Sequence, residues 1–131
     1  MELKFKGGFM GKKILIVDDA ASMRGLVAMT LKKSGYEVVE ASDGKDALTK
    51  LSSVGKVDLI ITDLNMPNMD GIELIKTLKA DMKYRFIPVI MLTTESQEAK
   101  KEEGRKAGAK AWIVKPFKPD VLVNVVKKII G

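Results

Sequence analysis

The chain has 131 residues, of which 46% are apolar and 31% charged, and it carries a net charge of +6 with no cysteine and no histidine. One domain of this length can bury a core, and the composition excludes a disordered chain. The missing residue types exclude disulfides, thiolate metal sites and imidazole ligands. Any metal must therefore be held by oxygen, which favours Mg²⁺, Mn²⁺ or Ca²⁺.

The same composition restricts location and partners. No apolar run approaches the roughly 20 residues that span a bilayer, and charges near the start argue against a signal peptide, so we expect a cytoplasmic protein that does not bind membranes. Basic residues are mixed with acidic ones along the chain, and aromatic residues are few. We therefore do not expect nucleic-acid binding, although a basic face can steer an acidic protein partner.

The predicted elements alternate between strand and helix. Residues 1–10 show no periodicity and are interpreted as a flexible extension, so the predicted domain covers 11–131. Short apolar runs predict strands over 13–18, 37–41, 57–62, 87–92 and 111–114. Helical spacing predicts helices over 20–34, from Gly44 to a stop at Gly55, from Gly71 to about Asp81, over 96–107, and from Pro119 onward.

Two helices differ in their apolar patterns. In the first helix the predicted buried stripe is Met23, Leu26, Val27, Thr30 and Leu31, with Gly35 at the position of a C-terminal capping glycine. The fourth predicted helix is poorly hydrophobic. Continuous apolar strands separated by helices are typical of βαβ units, which predicts a doubly wound parallel sheet of five strands flanked by five helices.

Four of the predicted strands end in polar residues. These residues are Asp18 and Asp19 after the first strand, Asp63 after the third, Thr93 and Thr94 at the fourth, and Lys115 after the fifth. The carboxyl ends of parallel strands lie on one edge of a sheet, where ligands bind in open α/β folds. Three carboxylates, a hydroxyl and an ammonium would meet there. Such a cluster can hold a divalent cation and accept a phosphoryl group on an aspartate.

Each of these residues also has an ordinary structural interpretation. An aspartate before a helix is a common N-cap, which would explain one of the pair Asp18 and Asp19 but not both. Asp63 suits a turn, and Lys115 suits a structural salt bridge. Three carboxylates in one cleft repel one another, however, and a Mg²⁺ ion with oxygen ligands would relieve that repulsion.

The four strand-end motifs, in this order and spacing, resemble the receiver domain of two-component response regulators, in particular stand-alone chemotaxis regulators of the CheY type. The matching stretches are Ile16-Val17-Asp18-Asp19, Asp63 to Gly71, Thr93-Thr94-Glu95, and Val114-Lys115-Pro116-Phe117. The resemblance covers residues 11–131. It implies the strand order 2-1-3-4-5.

The resemblance also implies a phosphoryl-transfer site. Asp63 would be the phosphoacceptor, attacking a phosphohistidine or a small acyl phosphate. Mg²⁺, or Mn²⁺ in its place, would be bound by Asp19, Asp63 and the backbone carbonyl of Asn65, and by Asp18 mainly through water. Together with Lys115, the metal would neutralise the charge that develops on the transferred group.

A switch is implied as well. The Thr93 hydroxyl would move toward the phosphoryl group, and the aromatic residue at position 112 would turn inward. Trp112 stands where tyrosine or phenylalanine is usual, so it is either a switch or a half-buried core aromatic. Asn65 and Glu95 would tune the loss of the phosphoryl group to water, and the Lys115-Pro116 bond would be cis.

These implications favour a phosphorylation switch that is not an enzyme acting on a separate substrate. We expect a monomer that receives its phosphoryl group from a sensor histidine kinase and binds a target protein, for example a flagellar motor switch component. The alternative is a phosphorelay carrier. A haloacid-dehalogenase-type phosphohydrolase would need two aspartates with one residue between them after a strand, and Asp63-Leu64-Asn65 lacks the second aspartate. A flavodoxin-like cofactor site would need a phosphate-cradling loop.

Overall fold

Strands and helices alternate throughout the computed structural model, which describes residues 11–131. The predicted flexible extension over residues 1–10 lies outside the described residues. The strands are β1 (Lys13–Val17), β2 (Glu37–Ala41), β3 (Leu59–Thr62), β4 (Val89–Thr93) and β5 (Ala111–Val114). The helices are α1 (Ala21–Lys33), α2 (Gly44–Leu51), α3 (Gly71–Lys79), α4 (Glu98–Ala107) and α5 (Pro119–Ile130).

All five strands form one parallel sheet with the order β2-β1-β3-β4-β5. Val17 at the end of β1 lies opposite Thr62 at the end of β3, and Thr93 at the end of β4 lies opposite Val114. The register therefore brings the carboxyl ends of these strands level with one another. The predicted fold class and strand order are confirmed.

The sheet separates two apolar clusters. Leu15 and Val17 of β1 belong to the cluster that contains residues of α2 and α3, whereas Ile14 and Ile16 belong to the cluster of α1 and α5. This alternation follows from the two-residue period of a strand. Because both faces of the sheet are covered, a ligand must approach at the ends of the strands.

Two predicted strands begin later than expected. β3 begins at Leu59 rather than at residue 57, because Asp58 turns its carboxylate toward the backbone N–H of Lys13, at 2.8 Å. β4 begins at Val89 rather than at residue 87. The Ile87 N–H closes a turn on the Tyr84 carbonyl, and Pro88 has no N–H to give to a neighbouring strand. Apolar side chains alone did not reveal these ends.

Several predicted helices are shorter than expected. The first covers 21–33 rather than 20–34, the second ends at Leu51 with turns before Gly55, and the third ends at Lys79 rather than near Asp81. The fourth begins at residue 98 rather than 96, because a Glu95 carboxylate oxygen accepts from the Gln97 N–H at 3.0 Å and Gln97 stays extended. Helix ends depend on such local hydrogen bonds, which periodicity does not report.

The predicted stripe of α1 is wrong at one position. Leu26 is 44% exposed, while Ala28 joins Val27 and Leu31 on the buried face. Gly35 is confirmed as the glycine that ends α1, with φ of +95°. Within residues 11–131, no helix has the length and apolar content needed to cross a bilayer.

Candidate functional site

Backbone hydrogen bonds carry the sheet one residue past its strands and so position the site. The Asp18 N–H donates to the Ala41 carbonyl at 3.1 Å, the Asp63 N–H to Val17 at 2.9 Å, and the Lys115 N–H to Thr93 at 2.8 Å. Asp18, Asp63 and Lys115 are therefore fixed to the sheet rather than carried on free loops. A site built on such rigid elements keeps its geometry.

The Lys115 ammonium lies between two carboxylates. Its Nζ is 2.8 Å from Asp18 Oδ2 and 3.3 Å from Asp63 Oδ2, and the side chains of Lys115, Asp18 and Asp63 are only 9%, 5% and 13% exposed respectively. Asp18 is thus the nearer of the two partners. Charges removed from water to this degree are stable only when paired, so each member holds the others in place.

A third carboxylate completes the acidic cluster. Asp18, Asp19 and Asp63 each offer an oxygen, and these oxygens all lie within 4.8 Å of one another. Against three negative charges the cluster has the one ammonium of Lys115, so a divalent cation would balance the remainder. Hard carboxylate oxygens are the donors that Mg²⁺ prefers. The donor set therefore fits the predicted metal.

The capping interpretation of the aspartate pair does not hold. The residue that caps α1 is Ala20, which offers no side-chain hydrogen bond. Asp18 Oδ1 accepts instead from the Ala20 N–H at 2.9 Å, ahead of the helix. Asp19 is exposed at the mouth of the cluster. Both aspartates are thus available to the site.

Thr93 and the bond before Pro116 lie at the same edge. Thr93 is fully buried at the end of β4, between β3 and β5 in the sheet, and its Oγ1 is 3.4 Å from the Glu95 N–H. The peptide bond between Lys115 and Pro116 is cis, as expected. The backbone thus places this hydroxyl between the strands that carry the phosphoacceptor candidate and the lysine.

Asn65 lies in the loop after β3 and is exposed. The loop is fastened by Asn68, which has a φ of +69° and donates from Nδ2 to Asp43 Oδ2 at 3.1 Å. Two hydrogen bonds lower the pKa of Asp43. The Asp46 N–H has the larger effect and the Asn68 amide the smaller one. The structure shows no contact that tests the metal-ligand role of the Asn65 carbonyl, which stays a prediction.

Trp112 belongs to β5, and its half-buried ring packs against α4. Its Nε1–H donates to the backbone carbonyl of Glu95 at 2.9 Å, and its ring lines a groove of about 530 Å³. The other residues of the groove are Glu98, Lys101, Glu102, Arg105, Ala109, Lys110 and Ala111. The indole therefore touches both the loop that follows Thr93 and an open surface.

Two supporting residues did not stand out in the sequence. Arg24 donates from Nη1 to the Asp18 carbonyl at 2.7 Å and pairs through Nε with Glu40 at 3.0 Å. Gly71 packs against the backbone of the phosphoacceptor candidate, since a Cβ at this position would lie 2.3 Å from the Asp63 carbonyl oxygen. In the sequence, Gly71 marked only the start of a predicted helix and the end of a matching stretch, which gave no sign of this packing.

The comparison with protein families decides what this arrangement is. Residues 14–127 match the response regulator receiver domain. The chain belongs to this family. The resemblance read from the four motifs is thereby confirmed.

Individual receiver proteins are similar over most of their length. The chain is 42% identical over 120 residues to chemotaxis protein CheY1 of Helicobacter pylori, covering 91% of this chain and 97% of that protein. The chain is also 42% identical to the chemotaxis protein CheY homolog of Campylobacter jejuni, in a match that covers 91% of this chain and 92% of that protein. The structure of Vibrio cholerae chemotaxis protein CheY4 superposes with a TM-score of 0.85 at 44% identity, and the match covers 91% of this chain and 98% of that one.

Proposed function

We propose that this receiver domain is a chemotaxis response regulator that accepts a phosphoryl group on Asp63 from a sensor histidine kinase. The observation that carries the proposal is the Lys115 ammonium held between the carboxylates of Asp18 and Asp63, with an oxygen of Asp19 within 4.8 Å of oxygens of both aspartates. The names of the similar proteins supply the physiological context.

The transfer uses the Asp63 carboxylate as nucleophile. One of its oxygens attacks the phosphorus of a phosphohistidine, the P–N bond breaks, and its electron pair stays on the imidazole. A small acyl phosphate can donate in the same way, which would let the domain phosphorylate itself. Asp18, Asp19, Asp63 and the Asn65 carbonyl would hold Mg²⁺ or Mn²⁺, which would supply positive charge to the transferred group.

Lys115 supplies the remaining positive charge from the protein. Its Nζ is already 3.3 Å from Asp63 Oδ2, so a phosphoryl oxygen added there would come within reach of the ammonium. The Thr93 hydroxyl would donate to a second phosphoryl oxygen. Asn65 and Glu95 would set how quickly water removes the group, which makes the signal transient.

The signal leaves the site through the segment that follows Thr93. Glu95 contacts Thr93 through its N–H and Trp112 through its carbonyl. A movement of Thr93 would therefore reach the surface formed by α4, β5 and α5. We propose that a monomer presents this surface to its target protein, for example a flagellar motor switch component. The matched proteins are named as chemotaxis proteins, which gives the phosphorelay alternative no support.

The test is intact mass after incubation with acetyl phosphate, with and without Mg²⁺. We expect wild type to gain one phosphoryl group only with Mg²⁺, and Asp63→Asn to gain none. Asp58→Asn is the matched control, because Asp58 lies beside the opposite end of β3, and it should behave as wild type. A phosphorylated Asp63→Asn protein would refute the assignment.

The role of Lys115 is tested separately. Lys115→Ala should still bind Mg²⁺ through its carboxylates, while the fluorescence of Trp112 should no longer respond to phosphorylation. Fluorescence titrations with Mg²⁺ and then acetyl phosphate measure both properties in one sample. A full fluorescence response in this variant would show that Lys115 does not couple the site to the surface.

A further inference from the structure

α4 contains a buried glycine beneath the indole of Trp112. Of the ten residues of α4, Gly104 alone is buried. A Cβ at this position would lie 2.6 Å from Trp112 Cζ3 and 3.1 Å from Cε3, closer than packed carbon atoms approach. Both ring atoms belong to the six-membered ring of the indole. The helix thus comes close to this ring only because residue 104 has no side chain.

The opposite side of the indole is also held. Its Nε1–H donates to the Glu95 carbonyl at 2.9 Å. A ring pushed away from α4 would have to tilt, and this hydrogen bond would lengthen and bend. Hydrogen bonds weaken steeply under such distortion. The indole is therefore fixed at two points, a steric one at Gly104 and a polar one at Glu95.

We propose that Gly104 is the positioning residue for Trp112 and that the two form a matched pair. Gly104 lets the indole sit where its N–H reaches Glu95, and Glu95 in turn contacts the Thr93 hydroxyl through its N–H at 3.4 Å. The pair thereby connects the end of β4 to the groove between α4 and β5. The link to phosphorylation rests on the proposed function, whereas the pairing itself does not.

The resting protein tests the pairing without phosphorylation. The chain has a single tryptophan, so one indole N–H resonance reports the hydrogen bond. In Gly104→Ala we expect this N–H to exchange with solvent at least about tenfold faster than in wild type, because its bond to Glu95 is broken. Fluorescence should also become easier to quench. Unchanged exchange would overturn the proposal.

A second background separates pairing from a general effect of alanine in α4. Phenylalanine lacks the atoms that alanine at position 104 would contact, so Gly104→Ala in a Trp112→Phe protein should raise the urea midpoint through better helix propensity. In the Trp112 background the same change should lower the midpoint. A shift of the same sign in both backgrounds would also overturn the proposal.

Beryllium trifluoride with Mg²⁺, used as a phosphoryl mimic, tests the coupling. The fluorescence of wild type should change when the mimic is added. The affinity of Gly104→Ala for the mimic should lie within about twofold of the wild-type affinity, while the fluorescence of this variant should stay unchanged. A variant with the full wild-type response would contradict the coupling. A wild type that shows no response counts against the proposed function, and the exchange measurement then decides the pairing by itself.

Discussion

α3 and α4 follow adjacent strands of the same sheet but are held in different ways. α3 begins with a reciprocal cap between Asp70 and Glu73 and buries five residues. α4 begins without a side-chain cap and buries only Gly104. Its surface carries three ion pairs, each between residues three apart.

The difference matches the tasks of the two neighbourhoods. α3 packs through Gly71 against the backbone of Asp63, the proposed phosphoacceptor. α4 forms one wall of the groove that contains Trp112. Exposed ion pairs add only a few tenths of a kcal/mol each, so they stabilise α4 less than the five buried residues stabilise α3. The fold thus places the proposed phosphoacceptor beside a well-packed helix and the groove of Trp112 beside a helix with few buried residues.

The largest expected effect comes from breaking the core of α3. Leu74→Ala should lower the free energy of unfolding by about 2–5 kcal/mol, because Leu74 is fully buried and its removal leaves a cavity. Lys100→Ala in α4, which removes an exposed pair with Glu103, should change it by less than about 0.5 kcal/mol. Urea unfolding measures both. Equal losses would abolish the contrast between the helices.

The next largest difference in stability is expected from changes at the N-termini of α3 and α4. Asp70→Ala should cost about 1–2 kcal/mol, since the Asp70 carboxylate accepts from the Glu73 N–H at 2.8 Å. Gln97→Ala is the matched change in α4 and should cost less than about 0.5 kcal/mol, because Gln97 makes no capping bond. Urea midpoints of the two variants give the comparison. A larger loss for Gln97→Ala would mean that α4 is anchored through its start.

Hydrogen exchange sharpens the contrast without mutation. Amides in the middle of α4 should exchange at least about tenfold faster than those in the middle of α3, because few buried contacts oppose local opening of α4. Exchange followed residue by residue with NMR provides the measurement. Similar protection in both helices would show that the surface pairs hold α4 as firmly as a core does.

The smallest effect is expected from pH, at Asp43, which caps α2 and accepts from Asn68 in the loop before α3. The pKa of Asp43 is lowered mainly by the hydrogen bond from the Asp46 N–H and, to a smaller extent, by the one from Asn68. The folded state therefore favours the charged form of Asp43. The stability that this charge contributes is present above the unfolded pKa of about 3.9 and is lost as pH falls through the lower folded value. Wild type should therefore lose stability more steeply than Asp43→Asn below about pH 4. Urea midpoints of both proteins, measured against pH, provide the test. Curves that stay parallel below about pH 4 would show that the charged form of Asp43 does not stabilise the fold.

The sequence by itself determined the alternation of strands and helices and the residues at the ends of the strands. Apolar runs of the length of a buried strand, separated by helical stripes, are compatible with few arrangements. The polar residues that end those runs are local features of the chain, so the order of the amino acids alone was enough to single out Asp18, Asp19, Asp63, Thr93 and Lys115.

Only the tertiary structure decided which of these residues touch and which others support them. Lys115 lies nearer to Asp18, 97 positions away, than to Asp63. Leu26 faces solvent although it fits a helical stripe. Gly71 and Gly104 are required by the close approach of a distant backbone and a distant ring. Periodicity records which face of an element is apolar, whereas such contacts depend on how two faces from separate parts of the chain are brought together.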